Sequence, residues 1–88
     1  MFETAKAARL LPHEIAKLLG VSRVTVSAWY NGHTLPHRIL ANRVAKLLDA
    51  IAVAVNNGAL PVPHDIPRRE RGHYIRTALK PYTPGGDD

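Results

Sequence analysis

Three features of these 88 residues predict an all-α chain of four to five helices. Apolar residues recur at i, i+3, i+4 spacing through several short windows, the signature of helices that bury one face. Gly20 and the pair Asn31-Gly32 fall where those windows break, and such residues tolerate the left-handed backbone that ends a helix. A long run from 37 to 57 keeps the helical period through Leu40, Val44, Leu47, Leu48, Ile51 and Val55.

Residues 2 to 10 (FETAKAARL) read as a first helix with Phe2, Ala5, Ala8 and Arg9 on one side. Its small residues (Thr4, Ala5, Ala7 and Ala8) keep it slim enough to pack closely. Pro12 suits the first turn of a second helix, where its missing N–H costs nothing, and Glu14 there complements the positive end of the helix dipole. That helix runs to Leu19, with Ile15, Leu18 and Leu19 as its apolar face and Ala16 allowing close approach of a neighbour. After the turn at Gly20, Val21 plugs the corner and Ser22 caps a third helix from Arg23 to Tyr30. Val26 and Trp29 form its inward pair, so Trp29 reads as core and not as a stacking platform.

His33 to Leu35 form a loop, and Pro36 starts the fourth helix. From Ala50 to Val55 every residue is apolar, leaving no side for water. A hairpin competes there, because Ile51, Val53 and Val55 alternate with alanines ahead of Asn56-Asn57-Gly58. Pro61 and Pro63 demote its return strand, and length together with the upstream pattern favours helix. Residues 58 to 67 (GALPVPHDIP) read as a stiff Pro-rich linker. A last basic helix follows near 67 to 80, weakened by Gly72, and PYTPGGDD reads as a disordered tail. The division expected is 1–57 and 58–88.

The 12 Lys and Arg residues against 7 Asp and Glu give a formal charge of +5, with Asp87 and Asp88 confined to the tail. A basic balance favours polyanionic partners. There is no cysteine, which excludes disulfides and thiolate chemistry. MFETAKAARLL lacks a hydrophobic signal region, and Ala50–Val55 is too short to span a bilayer. A soluble, cytoplasmic protein without a membrane partner is expected. Ser, His and Asp occur only where turns, caps and loops are expected, so no enzyme activity is predicted. His33 and His37 are four apart, but Pro36 interrupts the helix that would align them, and no cysteine or nearby carboxylate completes a metal set. Neither metal, cofactor nor small-molecule ligand is expected.

The stretch PHEIAKLLGVSRVTVSAWYNG, residues 12 to 32, resembles the helix-turn-helix of the lambda-repressor/Cro-type family of phage and bacterial regulators. Ile15, Ala16, Leu19, Gly20, Val21, Val26, Trp29, Asn31 and Gly32 stand where that family places its turn and core residues. The resemblance covers roughly residues 2 to 50. It implies a lambda-repressor-like bundle of four or five helices whose third helix enters the DNA major groove, usually in a dimer. Residues 1–57 would be the DNA-binding domain, with the long fourth helix at its end and 58–88 a C-terminal extension. One departure is Pro12, where relatives often carry a Gln that touches a phosphate.

By match to the family, the base-reading side chains are Arg23, Val24, Thr25, Ser27 and Ala28. A guanidinium fork at Arg23 can satisfy guanine O6 and N7 together, whereas Val24, Ala28 and the Thr25 methyl offer apolar contact to a thymine methyl. Lys17, Ser22, Asn31, His33 and Arg38 match phosphate-contacting positions. The apolar stretch containing Ile51, Val53 and Val55 is expected either at a homodimer interface or covered by Tyr74, Ile75 and Leu79 folding back. The basic segment 64–80 reads either as an added DNA-binding arm or as an amphipathic helix packed on the domain or on a partner.

The function expected is a sequence-specific double-stranded DNA-binding transcriptional regulator, a phage- or prophage-type repressor dimeric on a palindromic operator. The rivals are a recognition subunit in phage DNA packaging or recombination, and an antitoxin-like protein-interaction module.

Overall fold

The computed structural model describes residues 1–80, and every regular element among them is helical. In chain order these are α1 (Glu3–Ala7), α2 (Pro12–Leu19), α3 (Arg23–Tyr30), α4 (Arg38–Asn56), a 3₁₀ turn (Arg68–Glu70) and α5 (Arg71–Leu79). The disorder expected of PYTPGGDD concerns positions outside the described residues.

Helix ends follow from local chemistry. The α2 helix begins at Pro12, and Glu14 Oε1 reaches back to accept the Leu11 N–H at 2.8 Å. Ser22 Oγ caps α3 by accepting the Thr25 N–H at 3.1 Å. At the other end of α3, the Gly32 N–H donates to the Trp29 carbonyl and the His33 N–H to that of Ala28. Gly32 has φ +77°, and the paired bonds close the helix. The fourth helix starts two residues later than Pro36 suggests, because the His37 imidazole Nδ1 accepts the Ile39 N–H and makes His37 the cap.

The first helix is shorter than its composition suggests. Arg9 adopts φ +59°, so the Arg9 and Leu10 amides turn back onto the carbonyls of Lys6 and Ala5. Phe2, Ala5 and Ala8 are buried as expected, whereas Arg9 leaves their side and is exposed.

One hydrophobic core unites the described residues. Ile15, Val26, Val44, Ile51, Ile75 and Leu79 are its largest fully enclosed side chains, contributed by α2, α3, α4 and α5. Helix α1 packs on α4, α2 on α3, and α5 on α4. Leu60 and Val62 of the irregular stretch before α5 are also buried in this core. Residues 58–80 therefore share one core with 1–57.

The run Ala50–Val55 is helical throughout, which resolves the hairpin alternative. Its inner side, Ala50, Ile51 and Ala54, shares the core with Ile75 and Leu79 of the returning segment, with Tyr74 packed against it, which is the fold-back alternative expected from the sequence. This corrects the expected dimer interface in one respect. Ile51 is fully buried within its own chain and cannot meet a second copy. Val55 is half-buried against the core, and Val53 is exposed. No helix among the described residues is long and apolar enough to cross a membrane.

Candidate nucleic-acid interface

The unit from α2 to α3 is built around one sharp corner. Gly20 has φ +72°, and the amides of Gly20 and Val21 both donate to the Ala16 carbonyl. A Cβ at position 20 would meet nothing within 4 Å, so backbone conformation, not crowding, calls for glycine there. Ala16 is buried at the crossing and Val21 packs against the core, which holds the two helices as one body.

Inward-facing contacts fix the orientation of α3. Val26 and Trp29 are buried, and the Phe2 ring stacks on Trp29 with centroids 5.7 Å apart and planes 17° from parallel. Phe2 also lies 5.5 Å from Tyr30 at 37°, and the Tyr30 hydroxyl donates to the Leu10 carbonyl at 2.9 Å. Burial raises the Tyr30 phenol to about 12, with the Glu14 charge adding to the effect. Lys6 Nζ donates to the Tyr30 carbonyl at 2.9 Å, placing a cation at the negative end of the α3 dipole. Its ammonium also sits 5.6 Å from the Tyr30 ring centroid.

With that side anchored, α3 turns its N-terminal outer face to solvent. Arg23 and Val24 are exposed, Val24 at 75 %. Thr25, Ser27 and Ala28 are half-buried, and the Thr25 hydroxyl lies 2.8 Å from that of Ser22 within the cap. Arg23 and Val24 are thus the outermost of the five expected base-reading side chains. The Thr25 hydroxyl is engaged locally with Ser22.

Lys17, Ser22, Asn31, His33 and Arg38 are all exposed, distributed over α2, both ends of α3, the loop after it and the start of α4. None of Lys17, Arg23 or Arg38 is ion-paired among the described residues.

Spacing along the sequence did not reveal the role of Glu14. It is the one buried charged side chain among the described residues, and Arg71 of α5 grips both its oxygens. Burial alone would raise the Glu14 pKa. The Arg71 hydrogen bonds, the Leu11 amide and the Arg71 charge outweigh burial and hold it below its ordinary value. No group of three His, Cys, Asp or Glu residues among the described residues could hold a metal ion.

No protein-family model, curated protein or solved structure matches the chain. What its own residues define is a small helical protein in which a Gly-cornered helix pair carries a cationic outer face.

Proposed function

We propose that this chain is a sequence-specific double-stranded DNA-binding regulator of the repressor type, inserting the N-terminal face of α3 into the major groove. The observation that carries the reading is the two-sidedness of α3. Val26 and Trp29 are locked into the core while Arg23 and Val24 stand free on the opposite side. An eight-residue helix held this way can lay its first turn along base edges. The exposed polar residues at the ends of α3 and in the loop after it are of the kinds that position a phosphate backbone. Arg23 recognises guanine through its two acceptors, a contact worth about 1–3 kcal/mol of discrimination.

In this proposal the protein acts by occupancy, covering a promoter as a two-fold dimer on a palindromic operator. Such a dimer spaces two copies of α3 by about 34 Å, one turn of duplex. Selection of bound sequences from random duplexes tests the reading. The expected product is a motif containing a G·C pair whose preference relaxes in Arg23→Ala. Failure to enrich any duplex even at low ionic strength overturns the proposal.

A further inference from the structure

Beside the helix pair, α2 and the 3₁₀–α5 segment enclose an open groove of about 220 Å³. Its α2 wall presents His13 and Lys17, and its opposite wall presents Arg68, Arg69 and Arg76. Glu14 is the single carboxylate lining it, and Arg71 occupies that carboxylate with an Nε–Oε2 contact of 2.8 Å and an Nη2–Oε1 contact of 3.0 Å. Lys17, Arg68, Arg69 and Arg76 therefore surround the groove with no carboxylate partner among the described residues. Like charges that line one groove repel one another, and an anion between them relieves the repulsion.

We infer that this groove seats a backbone phosphate of the same duplex that α3 contacts, as a second anchoring point; the inference rests on the DNA-binding reading above. Its volume lies below the roughly 300–1,000 Å³ of pockets that enclose drug-sized ligands or cofactors. It has no Phe, Tyr or Trp among its lining residues on which an unpaired base could stack. A planar guanidinium fork can donate to two oxygens of one phosphate at once. Lys17 belongs both to this groove and to the phosphate-contacting positions of α2, so the groove continues the basic surface of the helix pair.

Helix α5 is then more than a cover for α4. Ile75 and Leu79 bury its inner face, and Arg76 projects from its outer one. The Arg71–Glu14 pair ties that helix to α2, setting the two walls of the groove at a fixed separation.

The test uses the full chain and the duplex selected for it, comparing wild type with Arg69→Ala/Arg76→Ala. Both side chains are exposed and unpaired, so the variant keeps its helical circular dichroism. Each phosphate neutralised contributes about 0.9 to the slope of log K against log salt, so loss of the one seated in the groove lowers the slope by about 0.9. The selected sequence motif stays the same, because phosphate contacts carry no sequence information. Wild-type binding with an unchanged slope in the variant overturns the groove and leaves the proposed function standing. A changed motif overturns the phosphate assignment. Absence of wild-type binding to any duplex overturns the proposed function and the groove with it. A lowered slope in the groove variant, alongside an Arg23→Ala motif identical to wild type, upholds the groove and removes α3 as the reader.

Discussion

Arg71 and Glu14, 57 positions apart, form a two-pronged ion pair that joins the C-terminal helix to the helix preceding the α2–α3 corner. Arg71 Nη2 also donates to the Arg9 carbonyl at 3.0 Å, so one side chain ties α5 to α2 and to the end of α1. The Glu14 side chain is 5 % exposed and that of Arg71 22 %. Removing Arg71 leaves a carboxylate enclosed with only the Leu11 amide as partner. Arg71→Ala is expected to cost about 3 kcal/mol, the lower end for breaking a buried pair, because water already reaches the guanidinium. Urea unfolding measures it, and a loss below about 0.5 kcal/mol, typical of surface substitutions, contradicts the assigned role.

The same pair sets an acid limit. Glu14 has its native pKa lowered from an ordinary 4.5, so the unfolded chain takes up the proton first as pH falls. The contribution is complete above that ordinary value. It is lost progressively as pH drops through 4.5 towards the lower native value. Stability measured against pH should therefore fall more steeply below this point in wild type than in Glu14→Gln. Parallel curves for the two proteins would show that Glu14 does not carry the dependence.

At the alkaline end the relevant group is Tyr30. Its phenol is raised from 10.0 to about 12 by burial, reinforced by the Glu14 charge. A raised acid is neutral in the native state, so its contribution is present below 10 and declines as pH rises towards 12. An absorbance titration of native protein should show the Tyr30 ionisation in that late range, and Tyr30→Phe should remove it. Persistence of the late transition in the variant would assign it to another residue.

Much of the helix pair is legible before folding because its signals are local. Pro12, Gly20, Ser22 and Gly32 each specify an end of α2 or α3 through backbone geometry or a cap, and both helices span the expected residues. Trp29 and Val26 are recognisable as core from their i, i+3 spacing. What stays hidden depends on distant partners. Because its neighbours are apolar on every side, Ile51 reads either as a subunit contact or as covered by Tyr74, Ile75 and Leu79 folding back, and its sequence position does not choose between them. The structure chooses intrachain cover: Leu60 and Val62, interleaved with Pro61 and Pro63 in a stretch that reads as a detached linker, and Ile75 and Leu79 beyond it share the core with Ile51. The basic groove is equally illegible, since neither Lys17 nor Arg69 suggests the other. Only the α2–α5 packing, with Glu14 neutralised by Arg71, brings them together.

Arg9 supplies a stabilising substitution. Its φ of +59° places an L side chain in left-handed geometry, at a cost of roughly 1–2 kcal/mol. Glycine removes that strain but adds about 0.5–1 kcal/mol of unfolded-state entropy. Because the Arg9 side chain is exposed and only its carbonyl is used by Arg71, little else is lost. Arg9→Gly is therefore expected to stabilise the protein by about 0.5–1 kcal/mol, raising the thermal midpoint by a few degrees. A lowered midpoint would mean that the arginine side chain stabilises more than the structure accounts for.

The proposed self-association through α4 is tested by contrasting two of its valines and one isoleucine. Ile51 is enclosed, Val55 is half-covered, and Val53 is 41 % exposed one turn from the C-terminus of the helix. A lysine at 53 can keep its ammonium in water, so Val53→Lys should leave the monomer folded with a stability change within about 0.5 kcal/mol. If a second copy packs over this valine, a buried lysine without a partner opposes that contact strongly. Sedimentation of the proposed dimer should then shift to monomer, and operator affinity should fall with it. A wild type that already sediments as a monomer would exclude free dimerisation, while a variant that remains dimeric would move the interface away from Val53. Ile51→Lys provides the contrast: it introduces a charge into the core and is expected to unfold the chain whatever its oligomeric state.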